Sequence, residues 1–215
     1  MDQQKTFISS LQAQPVLIVL RPSQEDLEPS GSGRPLIKTI EKLDELGVKH
    51  IEIAWSPLPG WKTLIKEVKE KFKGISLGAA SVTKPEGLDS VVEIGLNYSM
   101  TPFWDSALQS QAKDLNHLLV PGVFTPTEAK QAIDFGCQLI KLFPASILGI
   151  NYLQQLKAPI GSLPFVIAAG GLIASDLKPW LASGYGALAL GRKLIKDGHF
   201  DPDLKAWLMA EAIKG

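Results

Sequence analysis

The chain has 215 residues, 45% of them hydrophobic, enough to bury one large core in a single domain spanning residues 1–215. Lys and Arg (22) balance Asp and Glu (22), which excludes recruitment of nucleic acid or of an anionic membrane surface by long-range attraction and leaves a small molecule as the expected partner. The single cysteine, Cys137, excludes an internal disulfide and a cysteine cage for a metal, and fits a reducing compartment.

The opening MDQQKTFISSLQAQP has no basic segment followed by a long apolar run. No later stretch approaches the roughly 18 apolar residues of a spanning helix, so a cytoplasmic protein with no membrane partner is expected. In chain order, strands are expected at 15–20 (PVLIVL), 50–55 (HIEIAW), 74–79 (GISLGA), 96–101 (LNYSMT), 117–122 (HLLVPG), 137–143 (CQLIKLF), 164–170 (PFVIAAG) and 187–191 (ALALG). Amphipathic, charge-bearing segments such as PLIKTIEKLDELG, WKTLIKEVKEKF, TPTEAKQAIDFG and SDLKPWLASG lie between them as helices. Several end at a glycine (Gly47, Gly95, Gly136, Gly184) suited to a left-handed cap. The run RPSQEDLEPSGSGRP (21–35) reads as a flexible loop after the first strand. Eight β–α units in this length imply an α/β fold, a single (β/α)8 TIM barrel, rather than an open doubly wound sheet of five or six strands.

Strand parity carries the first functional signal, because alternate residues share a face. Lys141 shares its face with Cys137 and Leu139, Glu52 with His50 and Ala54, and Arg21 with Leu17 and Val19. Three chargeable residues at the C-terminal ends of strands, on the face assigned to the barrel interior, outweigh the alternative of a shifted parity that would place them on a solvated rim.

A lysine in an apolar strand loses hydration, which lowers its pKa and makes the amine nucleophilic. Its attack on a ketone gives a protonated imine that accepts the electrons of a breaking C–C bond. Glu52 suits the proton shuttle this chemistry needs, and the planar fork of Arg21 suits the carboxylate of a 2-oxo acid.

The segment Ile140-Lys141-Leu142-Phe143-Pro144-Ala145 resembles the Schiff-base strand of the 2-keto-3-deoxy-6-phosphogluconate (KDPG) and 4-hydroxy-2-oxoglutarate (KHG) aldolases and of their 2-dehydro-3-deoxy-6-phosphogalactonate relatives. Other segments follow in family order: Ile51-Glu52-Ile53 resembles the strand of the general acid/base glutamate, and Gly78-Ala79-Ala80-Ser81 with Lys84-Pro85-Glu86 resembles the Gly-Ala-Gly-Thr turn and the next helix start. Thr101-Pro102, Pro121-Gly122-Val123 with Thr125-Pro126, and Gly170-Gly171 followed by Gly191 complete the series, and Arg21 resembles the arginine of the galactonate branch.

The resemblance implies a class I aldolase, with Lys141 and Glu52 catalytic and Arg21, Ser81, Pro102, Phe143, Gly170, Gly171, Gly191 and Arg192 around the substrate. It also implies a homotrimer. Four positions depart from the family pattern, two of them, Ala169 and Arg192, in the region where the family holds the distal phosphate. Ser56 stands where the gluconate branch has an arginine, Ser81 replaces the turn threonine, Ala168-Ala169 replaces Pro-Thr before the glycine pair, and Arg192 replaces a small serine. Arg192 either folds inward as a new anion ligand or points out as a lost donor, so relaxed distal specificity is expected.

His50, His117 and His199 form no close ligand pair, so neither a metal nor an organic cofactor is expected. The tryptophans Trp55 and Trp104 either wall the pocket mouth or pack in the core. The expected reaction is cleavage of KDPG or 4-hydroxy-2-oxoglutarate to pyruvate and an aldehyde. Oxaloacetate decarboxylation through the same imine and a non-catalytic metabolite-binding barrel are the alternatives.

Overall fold

Apolar, β-branched runs form strands and the charged segments between them form helices, in the order expected of a (β/α)8 barrel. The computed structural model describes residues 2–28, 34–196 and 199–212. Its contacts divide the chain into two compact units, one comprising Met1–Leu17, Pro102–Asp105 and Val120–Gly215, the other Ile18–Thr101 and Ser106–Leu119. The parallel strands are β1 (Val16–Leu20), β2 (His50–Ala54), β3 (Ser76–Ala80), β4 (Tyr98–Met100), β5 (Leu118–Val120), β6 (Gly122–Val123), β7 (Leu139–Leu142), β8 (Phe165–Ala169) and β9 (Ala187–Leu190).

In the second unit β1, β2, β3 and β4 pair in that order, with Ile51 opposite Ile18 and Leu77, and Ala79 opposite Ser99. The helix Gly60–Lys71 packs Trp61, Leu64, Ile65 and Val68 inward at helical spacing, and Trp61 Nε1 donates to the Ala54 carbonyl at 2.9 Å. Its charged face is solvated and carries ion pairs from Lys71 to Glu41 and from the buried Arg34 to Glu67. Gly95 takes φ 69° at the end of the helix Pro85–Ile94, and Lys69 Nζ caps the Ile94 and Gly95 carbonyls at 2.6 and 2.7 Å.

In the first unit β6, β7, β8 and β9 pair in order, with Ile140 opposite Val166 and Ala168 opposite Leu188. Leu11, Val16, Leu17, Ile140, Ile167, Leu177 and Leu188 are fully buried. The helix Pro126–Phe135 starts on a capping box between Thr125 and Glu128 and ends at Gly136 with φ 96°.

Three expectations need correction. The strand expected at 117–122 divides at Pro121, which has no N–H to give a ladder and instead accepts from Lys141 N at 2.8 Å. Cys137 sits in the turn before β7 rather than in the strand; its N–H donates to Ala132 O at 3.0 Å, and burial pushes its thiol up to about 11. The loop expected at 21–35 contains the helix Gln24–Leu27, and its residues 29–33 lie outside the described residues. Asp26, 2% exposed, accepts from Ser23 N and Leu36 N, each at 2.8 Å, so its carboxylate ties the two ends of this connection. An antiparallel pair, Ile195–Lys196 with His199–Phe200, follows the last parallel strand and was not anticipated.

Candidate active site

Register decides which side chains share a face. In the second unit Glu52 lies opposite Val19 and Gly78, and Gly78 lies opposite Tyr98. Register partners in a parallel sheet project to the same side, so Val19, Glu52, Gly78 and Tyr98 form one row. Glu52 is 1% exposed. Gly78 supplies no side chain, and the Tyr98 ring takes that space: a Cβ on Gly78 would overlap the ring at Cε2 and Cζ. Burial holds the Tyr98 phenol well above its usual range, and the charge of Glu52 raises it further.

His50, fully buried, shares the Glu52 face two residues earlier. Arg21 follows β1 two residues beyond Val19 and is exposed. Among the described residues it has no ion pair. Ser81, half-buried just after β3, has φ 59°, in the left-handed region that a residue with a Cβ rarely occupies.

In the first unit Lys141 lies opposite Gly122 on β6 and Ile167 on β8, and Ile167 lies opposite Ala187 on β9. Lys141 is 7% exposed, and Ile167 and Ala187 are fully buried. The lysine thus projects from a row whose other members are a glycine, an isoleucine and an alanine. Its Nζ stands 5.4 Å from the centre of the Phe143 ring.

Two glycines hold this arrangement. A Cβ on Gly122 would overlap the Pro102 carbonyl, so glycine lets the half-buried Pro102 cross beside the strand next to Lys141. Gly170 has φ 94°, and a Cβ there would lie 2.9 Å from Phe143 Cε2 and 3.0 Å from Pro144 Cα. Glycine at 170 thus leaves room for Phe143 beside Lys141. Gly171, with φ 81°, similarly admits the Ser146 hydroxyl.

At the expected distal end Gly191 is half-buried and Arg192 is exposed. Arg192 makes no ion pair among the described residues. The neighbouring Lys193, which sequence reasoning missed, donates from Nζ to the Gly171 carbonyl at 3.1 Å. A cation two residues after the last barrel glycine was the available signal.

The remaining polar aromatics have structural places. Trp55 lies against Gly87 of the helix Pro85–Ile94, and Trp104 meets Phe135 edge-on with ring centres 5.7 Å apart. His117 contacts the Ser99 hydroxyl through Nε2 at 2.9 Å, and burial pushes its pKa down to about 4. Among the described residues no three His, Cys, Asp or Glu side chains cluster as a metal site would require. No described helix is long and apolar enough to cross a membrane.

The family model described as "Aldolase: KDPG and KHG aldolase" matches residues 10–206. Over 156 residues, 72% of this chain and 76% of the relative, the sequence is 33% identical to the 2-dehydro-3-deoxy-6-phosphogalactonate aldolase of Escherichia coli (strain K12). It is 29% identical over 122 residues to the KHG/KDPG aldolase of the same organism, covering 56% of this chain and 55% of that one. A solved structure described as "Native KDPGal structure" superposes with a TM-score of 0.75 at 26% identity, covering 94% of this chain and 97% of the other.

Proposed function

This chain belongs to the KDPG and KHG aldolase family, and we propose that it cleaves a phosphorylated or unphosphorylated 4-hydroxy-2-oxo acid to pyruvate and an aldehyde through an imine on Lys141. The observation that carries the reading is the burial of Lys141 in β7 among Gly122, Ile167 and Ala187. An amine there has little hydration to lose on becoming a nucleophile.

The Lys141 amine adds to C2 of the 2-oxo acid, and loss of water leaves a protonated imine. Glu52 removes the proton of the C4 hydroxyl. The C3–C4 bond breaks, its electron pair enters the imine to give an enamine, and the aldehyde leaves. Glu52 then returns the proton to C3, and water releases pyruvate from Lys141. Arg21 and the Ser81 hydroxyl bind the C1 carboxylate. Phe143 and Pro102 line the pyruvate portion, and Gly170, Gly171, Gly191 and Arg192 approach the distal end. The chain acts as one barrel domain, in the cytoplasm and as a homotrimer, without a metal or organic cofactor.

Incubation with pyruvate and borohydride tests the reading. A stable adduct on Lys141, formed equally in EDTA, is the expected result. An adduct on another lysine removes Lys141 from its role, and activity lost on chelation and restored by zinc or magnesium refutes the class I assignment.

A further inference from the structure

The row Val19, Glu52, Gly78, Tyr98 contains a tyrosine for which the steps above have no use. Successive strands lie about 4.8 Å apart, so the Cα atoms of Glu52 and Tyr98, two strands apart, are separated by about 10 Å. Small side chains could not meet over that distance. Tyr98 crosses most of it because Gly78 is bare: the atoms that a Cβ on Gly78 would strike are Cε2 and Cζ, the far end of the ring. The phenol oxygen, bonded to Cζ, therefore lies by Gly78 on β3, the strand between Tyr98 and Glu52. Both residues are sealed, Tyr98 and Glu52 each at 1% exposure, and the Tyr98 phenol senses the Glu52 charge.

We propose that Tyr98 is a positioning residue for Glu52: laid across Gly78, its neutral hydroxyl dipole stabilises and orients the carboxylate that moves the protons of the aldol step. The proposal rests on the assignment of Glu52 as proton shuttle. In a water-excluded interior a rotatable hydroxyl turns its positive end toward an anion, and such a dipole acts more strongly than it would in water. The phenol remains protonated, since burial and the Glu52 charge both oppose phenolate. It therefore supplies the same dipole across the working pH range.

Among the described residues, the other ionisable groups on this face of β1 to β4 are His50, on β2 itself, and Arg21, beyond the β1 partner of Glu52. From β3 come only Ser76, Gly78 and Ala80, and from β4 Tyr98 and Met100. Tyr98 is the one hydroxyl of the Glu52 row itself.

The test is a double-mutant cycle of Tyr98→Phe and Glu52→Gln, read as kcat and as the pH profile of kcat/KM, with borohydride trapping of pyruvate on Lys141 to show that each variant is folded and forms its imine. Tyr98→Phe removes a single oxygen and keeps the ring over Gly78. We expect it to lower kcat about tenfold, a fraction of what a general acid/base supplies, and to move the acid limb of the profile to higher pH, because the carboxylate loses a stabilising dipole. In the Glu52→Gln background the same exchange should change kcat by less than about twofold, the signature of coupling through Glu52. Equal losses in both backgrounds, or an unmoved acid limb, would overturn the positioning role while leaving Glu52 as the shuttle. A Glu52→Gln variant with near-native kcat would overturn both.

Discussion

The ammonium of Lys193 donates to the carbonyl of Gly171 at 3.1 Å, across 22 residues of sequence. That contact brings a cation beside the Gly170-Gly171 turn, while the exposed Arg192 makes no ion pair among the described residues. A distal phosphate bound at this turn is therefore expected to meet Lys193 more closely than Arg192, as a point charge rather than a bidentate fork. Lys193→Met should lower kcat/KM for KDPG about tenfold more than for 4-hydroxy-2-oxoglutarate, and Arg192→Ser should change the ratio by less. The native preference between the two should stay under roughly a thousandfold, which is about 4 kcal/mol of differential transition-state binding. A substrate panel on the three proteins decides this; equal losses on both substrates would reduce Lys193 to a structural contact.

Gly170→Ala should be costly in two ways at once. The residue has φ 94°, and its Cβ would press on Phe143 Cε2 and Pro144 Cα at 2.9 and 3.0 Å. Backbone strain of this kind costs about 1–3 kcal/mol, which in a chain of this size lowers Tm by roughly 2–4 °C for each kcal/mol. Displacement of Phe143 from Lys141 should also slow pyruvate trapping. A variant with native Tm and native trapping would show that the turn absorbs the methyl group.

Ser81→Gly should separate stability from function. Serine at φ 59° stores backbone strain that glycine would release. The variant is expected to unfold at equal or higher denaturant concentration, while KM for the 2-oxo acid rises through loss of the hydroxyl. Denaturant titration and steady-state kinetics measure the two effects, and a destabilised variant with unchanged KM would contradict both halves.

His117 makes folding stability depend on pH. Burial holds its folded pKa down at about 4, against 6.5 for a free imidazole. Between these values the unfolded chain binds a proton that the folded chain refuses, so this contribution is present above about pH 6.5 and is lost as pH falls toward 4. At full effect it is worth about 3 kcal/mol. His117→Asn should flatten the unfolding free energy over that interval, and an unchanged slope would show that other groups govern it.

Much of the site was legible in the sequence. The period-2 runs put His50, Glu52 and Ala54 on one face of β2 and Leu139 and Lys141 on one face of β7, because strand parity is a local property of the backbone. The lysine strand with its following Phe143-Pro144, the glycine pair at 170–171 and the order of the family segments were visible in the same way.

Other relationships exist only in three dimensions. Nothing in the segment around Tyr98 states that its ring will lie over Gly78, twenty residues earlier, since that depends on which residues of β3 and β4 come into register. Lys193 meets Gly171 because β8 and β9 lie side by side, with Ala169 opposite Ala189, so the segments that follow the two strands are neighbours. The Ser81 strain and the burial of Asp26 between Ser23 and Leu36 likewise arise in connections, where no periodicity constrains the backbone. Local sequence determined the candidate residues and, within the strands, which way each one faces. Tertiary register and turn geometry decided their neighbours, because a contact between distant segments depends on how both are placed.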